Sequence, residues 1–148
     1  MNKIVFMLCV CFSLYAQSNF ECISIGAECS TGAALQAFKL RSFACPFDWV
    51  ISSFPAMRSA IADNFSDYLN PQYFKIRKDN HGVINKYGIV FVHDFPTIHY
   101  TGNNIENVDA ISESILAPDW IKSLPFIQDK YARRINRFTE QCNSENKI

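Results

Sequence analysis

The feature that most constrains the fold of this chain is a continuous apolar stretch over residues 87–92, which leads directly into His93. The stretch is rich in β-branched and aromatic side chains, as is typical of a strand that is buried on both faces. Two helices are predicted before it. Residues 30–40 are rich in alanine, and the next helix begins at the N-cap Ser53 and repeats apolar residues at every fourth position up to Asn70. This order predicts an α/β domain with a layered sheet and flanking helices.

The other predicted elements are shorter. Residues 20–25 predict a first strand, and the strand–helix–helix–strand order favours a parallel pair with residues 87–92. Residues 79–82, with the sequence DNHG, predict a turn between two short β-like pieces. Residues 97–118 are expected to form a loop with a weak helical piece. Pro125 opens a last helix, whose predicted apolar face contains Ile127, Tyr131, Ile135, Phe138 and Cys142.

The N-terminus has the pattern of a secretory signal peptide. Lys3 supplies a positive charge, residues 4–16 are almost entirely apolar, and the small residues Ala16 and Ser18 follow. We therefore expect residues 1–18 to be a signal peptide and the protein to be exported, to the periplasm or out of the cell. The apolar run is shorter than the ~20 residues that a membrane helix needs. No stable membrane span is expected after cleavage.

Residues 19–148 are expected to form a single domain, because they contain no repeat, low-complexity tract or linker. The chain has 14 basic and 14 acidic residues, and this balance gives no electrostatic indication of nucleic-acid binding, so no nucleic-acid partner is expected. Since polar turn residues give way to an apolar residue at Ile148, we expect the domain to be incomplete at its C-terminus. Four cysteines would remain after cleavage, and they show no disulfide-framework spacing: Cys22, Cys29, Cys45 and Cys142.

The residue types that could carry out chemistry begin with Cys29, which lies between the first predicted strand and the first helix. Amide groups at a helix N-terminus favour a thiolate over a thiol and can hold an oxyanion. Gly26 and Ala27 are small enough to admit a substrate backbone, and Ser30 adds an amide at the helix start. Equally, many cysteines are buried and inert.

A general base for this thiol is expected to be His93, at the end of the buried strand. Parallel strands would bring Cys29 and His93 to the same sheet edge, where α/β folds place their sites. The group that orients the imidazole is expected to be Asp48 or the adjacent Asp94. Two further histidines are weaker candidates, and two asparagines remain open as orienting groups: His81, His99, Asn103 and Asn104.

Four sequence motifs resemble one bacterial domain family of unknown function that is classed with the papain-like cysteine peptidases. They are ISIGAEC at residues 23–29, PFDW at 46–49, VFVHDF at 90–95 and YARRINRF at 131–138. The resemblance extends over residues 22–148. It implies that Cys29 is the nucleophile and His93 the base, and it adds a papain-like α+β arrangement, with an antiparallel sheet against a helical lobe, as the alternative fold.

The sequence therefore predicts a papain-like cysteine peptidase or related thiol hydrolase that acts on a peptide or amide bond. No cofactor is expected, and no closely spaced ligand pair indicates a metal. Two alternatives stay open: an inactive or truncated binding domain, and a transferase that holds a phosphorylated donor at residues 26–32. The last of these lacks both the Walker lysine and the dinucleotide glycine pattern.

Overall fold

The computed structural model describes residues 22–25, 28–100 and 113–143, which form helices and antiparallel strands. The helices in this part of the chain are α1 (Cys29–Ala37), α2 (Phe54–Ala62) and α3 (Leu124–Asn143). The strands are β1 (Val50–Ile51), β2 (Lys75–Ile76), β3 (Val83–Ile84), β4 (Val90–Phe91), β5 (Thr97–Tyr100) and β6 (Glu113–Leu116). Short 3₁₀ turns at Pro71–Tyr73 and Trp120–Ser123 precede β2 and α3.

The first sheet has the strand order β1-β4-β3-β2, so β4 lies inside it, as predicted for this stretch. The strand is shorter than the predicted 87–92, because residues 86–88 form a turn before it. Val50 of β1 pairs with Phe91 on one side, and Val83 of β3 pairs with Phe91 on the other. All three side chains are fully buried. The DNHG turn connects β2 to β3 as expected, because asparagine and glycine adopt turn conformations at low cost.

The mixed class predicted from the sequence is confirmed, since helices flank sheets, but the strand direction differs from the expected one. Every pairing among the described strands is antiparallel, as in the papain-like alternative. The expected parallel pair was wrong, because residues 22–25 form no strand. There the Cys22 amide donates to the Leu40 carbonyl, 2.8 Å away, and ties this segment to the end of α1 instead.

A second sheet, formed by β5 and β6, replaces the loop that was expected over residues 97–118. Thr97 pairs with Leu116, which is buried, and the Ala117 amide donates to the Pro96 carbonyl at 2.9 Å. The helical piece expected within the loop is not formed by residues 97–100 or 113–116, and residues 101–112 lie outside the described part. Burial of Leu116 outweighs the weak local helical pattern.

In the described part of the chain, seven of the 18 buried core residues are aromatic. Phe47, Tyr68, Phe91 and Tyr131 are all at most 1% exposed and lie where α2, α3 and the first sheet pack together. The rings of Phe91 and Tyr131 meet edge to face, with centroids 5.3 Å apart. Deleting one such ring costs about 3–5 kcal/mol. The predicted apolar face of α3 is confirmed for Ile127, Tyr131 and Phe138, which are buried, with Ile135 partly buried, whereas Cys142 is exposed because α3 extends past the core.

The start of α2 follows its predicted cap, because the Ser53 hydroxyl accepts a hydrogen bond from the Ala56 amide at 3.3 Å. The helix ends earlier than expected. Asn64 and Phe65 adopt positive φ angles of 47° and 57°, which turn the chain after Ala62. Phe65 is buried all the same, so the fourfold apolar spacing continues as packing after the helix has ended.

No helix within residues 22–25, 28–100 and 113–143 is long and apolar enough to cross a membrane. The residues of the predicted signal peptide lie outside the described part, and export remains a prediction. The four cysteines of this part, Cys22, Cys29, Cys45 and Cys142, are not in disulfides.

Candidate functional site

Cys29 is the first residue of α1, the position that the sequence predicted for a nucleophile. Glu28 precedes it in an extended conformation, and the Glu28 side chain makes no capping hydrogen bond. The amide groups at the start of the helix are therefore not hydrogen-bonded by that carboxylate. Cys29 is half-buried and Ser30 is exposed. Gly26 and Ala27 lie outside the described residues, so their predicted contribution to an oxyanion site remains a prediction.

The alanine-rich sequence favours α1, which needs no apolar stripe because only one of its residues, Gly32, is buried. Lys39 ends the helical region with a φ of 56°. Gly32 is buried because Asp48 is packed against it. A β-carbon at this position would lie 3.0 Å from the Asp48 Oδ1 atom. The helix that Cys29 opens is thus held in close contact with Asp48, three residues after the thiol.

Asp48 is fully buried and ion-paired with Arg41, whose side chain is only 5% exposed. Its Oδ2 atom also accepts a hydrogen bond from the Cys45 amide at 2.7 Å. Its Oδ1 atom has no hydrogen-bond partner among the described residues. Buried polar atoms usually have partners, so one oxygen of this carboxylate retains the capacity to accept a proton donor.

The sheet register brings Asp48 and His93 to the same end of one strand pair. Asp48 lies two residues before β1, and His93 lies two residues after β4. Because β1 and β4 are antiparallel, with Val50 opposite Phe91, the start of β1 and the end of β4 meet. The expected parallel pair would have brought Cys29 and His93 to one sheet edge. The observed antiparallel pair brings Asp48 and His93 to one edge instead.

His93 is exposed and lines a groove of about 390 Å³ at this end of the sheet. Two other polar side chains of the β2–β3 hairpin, Arg77 and His81, face the same groove. The remaining lining residues are Val92, Phe95 and Thr97. Sequence reasoning ranked His81 as a weaker candidate and did not consider Arg77. The signal that could have found them is the DNHG turn, because a hairpin beside the central strand brings its tip to the strand end that carries His93.

Asp94 is directed away from the groove, towards α3. Its carboxylate is ion-paired with Lys130 and accepts a hydrogen bond from the Tyr131 hydroxyl at 2.8 Å. Burial raises the pKa of Tyr131 well above its usual value, and the negative charge of Asp94 raises it further. The phenol therefore stays protonated and donates to Asp94. These interactions attach the backbone beside His93 to α3, the last helix.

A metal centre is not formed by the described part of the chain, where no three histidine, cysteine, aspartate or glutamate side chains lie close enough together to hold an ion.

A family model described as "Putative papain-like cysteine peptidase (DUF1796)" matches residues 20–148. The chain belongs to this family. No curated protein and no solved structure matches it. Membership in the papain-like cysteine peptidase family confirms the resemblance that the four motifs carried, and it is compatible with the mixed, antiparallel fold. It also implies a peptide substrate. The matched residues include Cys29, Asp48, His93 and Asp94.

Proposed function

We propose that this chain is a cysteine peptidase or a closely related thiol hydrolase, with Cys29 as nucleophile and His93 as general base. The observation that carries the proposal is the position of Asp48. This residue packs against the first turns of the helix that Cys29 opens, and it lies at the sheet end from which His93 emerges. Family membership supports the cysteine peptidase class.

The proposed reaction follows from these groups. His93 removes the thiol proton, and the Cys29 sulfur attacks the carbonyl carbon of a peptide or amide bond. Amide groups at the start of α1 stabilise the oxyanion. The C–N bond breaks as His93 returns the proton to the leaving amine, which leaves a thioester. A water molecule, deprotonated by His93, then attacks the thioester, and the thiol leaves with that proton.

Asp48 is the better supported of the two predicted orienting carboxylates. One of its oxygens has no partner in the described part of the chain, whereas Asp94 is engaged by both Lys130 and Tyr131. We therefore assign Asp48 the role of a positioning residue between α1 and the imidazole. Asp94 would hold the backbone of His93 in place through α3.

The proposed site of action is outside the cytoplasm, because residues 1–18 have the pattern of a signal peptide. The N-terminal sequence of the mature protein tests this. Cleavage after Ser18 supports export, and a mature protein that retains Met1 or Lys3 contradicts it.

Thiol labelling tests the nucleophile. At pH 6 an ordinary cysteine is almost entirely protonated and reacts slowly with iodoacetamide. We expect Cys29 to be labelled about 10-fold faster than Cys142, although Cys142 is exposed and Cys29 is half-buried. His93→Ala should slow Cys29 about 10-fold or more and leave Cys142 unchanged. Site-resolved mass spectrometry gives both rates from one sample. Faster labelling of Cys142 than of Cys29, or a Cys29 labelling rate that does not change in His93→Ala, would contradict the assignment.

A further inference from the structure

We infer that the groove beside His93 binds a carboxylate of the substrate, with Arg77 and His81 as specificity-determining residues. The inference rests on the proposed function, since it adds a substrate class to the same site. It predicts a preference for peptides that carry an acidic side chain, or a free C-terminal carboxylate, close to the cleaved bond.

The composition of the groove supports this choice of ligand. Arg77, His81 and His93 supply nitrogen donors, and none of the six described residues that line the groove is acidic. The Asp79 Oδ2 atom is ion-paired with the Arg77 Nε atom, 3.0 Å away. That contact orients the side chain and leaves its two terminal nitrogens to a ligand. Two parallel N–H donors fit the two oxygens of a carboxylate.

Backbone hydrogen bonds hold in place the hairpin that carries Arg77 and His81. The Arg77 amide donates to the Gly82 carbonyl, and the Leu116 amide donates to the Asn80 carbonyl, both at 2.9 Å. A β-carbon at Gly82 would lie 2.7 Å from the carbonyl oxygen of Phe91, so the hairpin rests directly on β4. The hairpin backbone beside the groove is therefore already held by hydrogen bonds, and ligand binding does not need to order this backbone.

Proximity to the reacting group decides where the carboxylate lies on the substrate. His93 lines the groove and is also the proposed base. A carboxylate held by Arg77 therefore lies within a few residues of the scissile bond, since an extended peptide advances about 3.3 Å per residue. A more distant acidic residue would not reach the groove while the scissile bond lies beside His93.

The test is a binding experiment with the full chain carrying Cys29→Ala, which prevents turnover. Three fluorescein-labelled hexapeptide pools share randomised apolar positions. One has an internal glutamate and an amidated C-terminus, the second has glutamine in its place, and the third has glutamine and a free C-terminus. Fluorescence anisotropy at low salt gives the apparent Kd of each pool. The variants are Arg77→Gln, Arg77→Lys and His81→Asn, with Lys78→Gln as the matched control, because Lys78 is the exposed neighbour and loses the same charge.

We expect one of the two acidic pools to bind about 10-fold more tightly than the neutral pool, as a charge-assisted hydrogen bond provides. The pool that shows this preference identifies the source of the carboxylate. Arg77→Gln should abolish the preference, Arg77→Lys and His81→Asn should reduce it, and Lys78→Gln should retain it. Circular dichroism confirms that each variant is folded. Equal binding of all pools, no binding of any pool, or a preference that survives Arg77→Gln overturns the inference.

The two proposals fail in distinguishable ways. If Cys29 labelling does not depend on His93 but the Arg77-dependent preference is present, the peptidase assignment is wrong and the groove still binds carboxylates. If labelling behaves as proposed and the acidic pools bind no better than the neutral pool, the peptidase assignment stands and the acidic specificity is wrong.

Discussion

Replacing Asp48 with asparagine tests the contribution of the Asp48 charge to stability. Asp48 packs against α1 and lies at the sheet end near His93. The side chains of Arg41 and Asp48 are 5% and 1% exposed, so Asp48→Asn leaves a buried guanidinium without its counter-charge. Breaking a buried pair from one side costs about 3–5 kcal/mol. Asparagine keeps an acceptor for the Cys45 amide, and Arg41 keeps its position over the Trp49 ring, 5.9 Å away. We therefore expect a loss near the lower end of that range, about 3 kcal/mol.

Urea unfolding measures this loss. With a slope of about 2 kcal/mol per molar urea, the midpoint should fall by about 1.5 M with no change in slope. Arg41→Met removes the charge left without a partner, so Asp48→Asn should cost less in an Arg41→Met chain than in the parent, by about 1–2 kcal/mol. A loss below about 1 kcal/mol, or strictly additive effects of the two substitutions, would refute the claim that the buried Arg41–Asp48 ion pair stabilises this part of the fold.

Two other substitutions test neighbouring parts of the account. Gly32→Ala should destabilise the protein by about 1 kcal/mol, although alanine is the better helix former, because its β-carbon would lie 3.0 Å from Asp48 Oδ1. In an Asp48→Ala background the same change should stabilise, and urea midpoints give both signs. Lys86→Gln should raise the pKa of Asp67, which the hydrogen bond from Lys86 lowers. Because that pKa is depressed on folding, its stabilising effect is present above about pH 4 and is lost as the pH falls through the folded-state value.

The controls for these two substitutions are internal. If Gly32→Ala stabilises the parent chain, Asp48 does not pack against α1 as described. NMR titration of the Asp67 carboxyl follows the second prediction directly. A stability difference between Lys86→Gln and the parent that is the same at pH 7 and pH 2 would show that Lys86 acts through packing and not through the Asp67 charge.

Local patterns predicted the parts of the fold that depend on neighbours in sequence. The Ser53 cap, the DNHG turn and the apolar face of α3 each need only a few consecutive residues, and the structure confirms them except for Cys142, which is exposed. The buried strand was also found, because a continuous β-branched and aromatic run has few other uses in a small domain.

Pairing between distant segments could not be predicted in the same way. The four strands of the first sheet have two residues each, too few to show a period of two, and their direction depends on how the chain turns between them. β5 and β6 were missed because 12 residues separate them along the chain, more than a short hairpin loop has, and neither is apolar throughout. The parallel arrangement was an inference from element order, and it failed once residues 22–25 formed no strand.

The candidate site also contains some features that follow from local sequence and others that depend on contacts between distant segments. Cys29 at a helix start and His93 at a strand end follow from the sequence around each residue. The packing of Asp48 against Gly32 is a tertiary contact, and so is the groove that Arg77 shares with His93. The first contact leaves no signal in consecutive residues, and the DNHG turn indicates the groove only once the hairpin is known to lie beside β4.

The most direct measurement of the central claim is the site of covalent acylation. The chain is mixed with a peptide nitrophenyl ester, quenched in acid within seconds, digested and examined by mass spectrometry. We predict the acyl mass on the peptide that contains Cys29, much less of it when His93 is alanine, and none when Cys29 is alanine. Acylation at Cys142 instead, or no acyl adduct on a folded chain, would contradict the claim that Cys29 is the nucleophile of this protein.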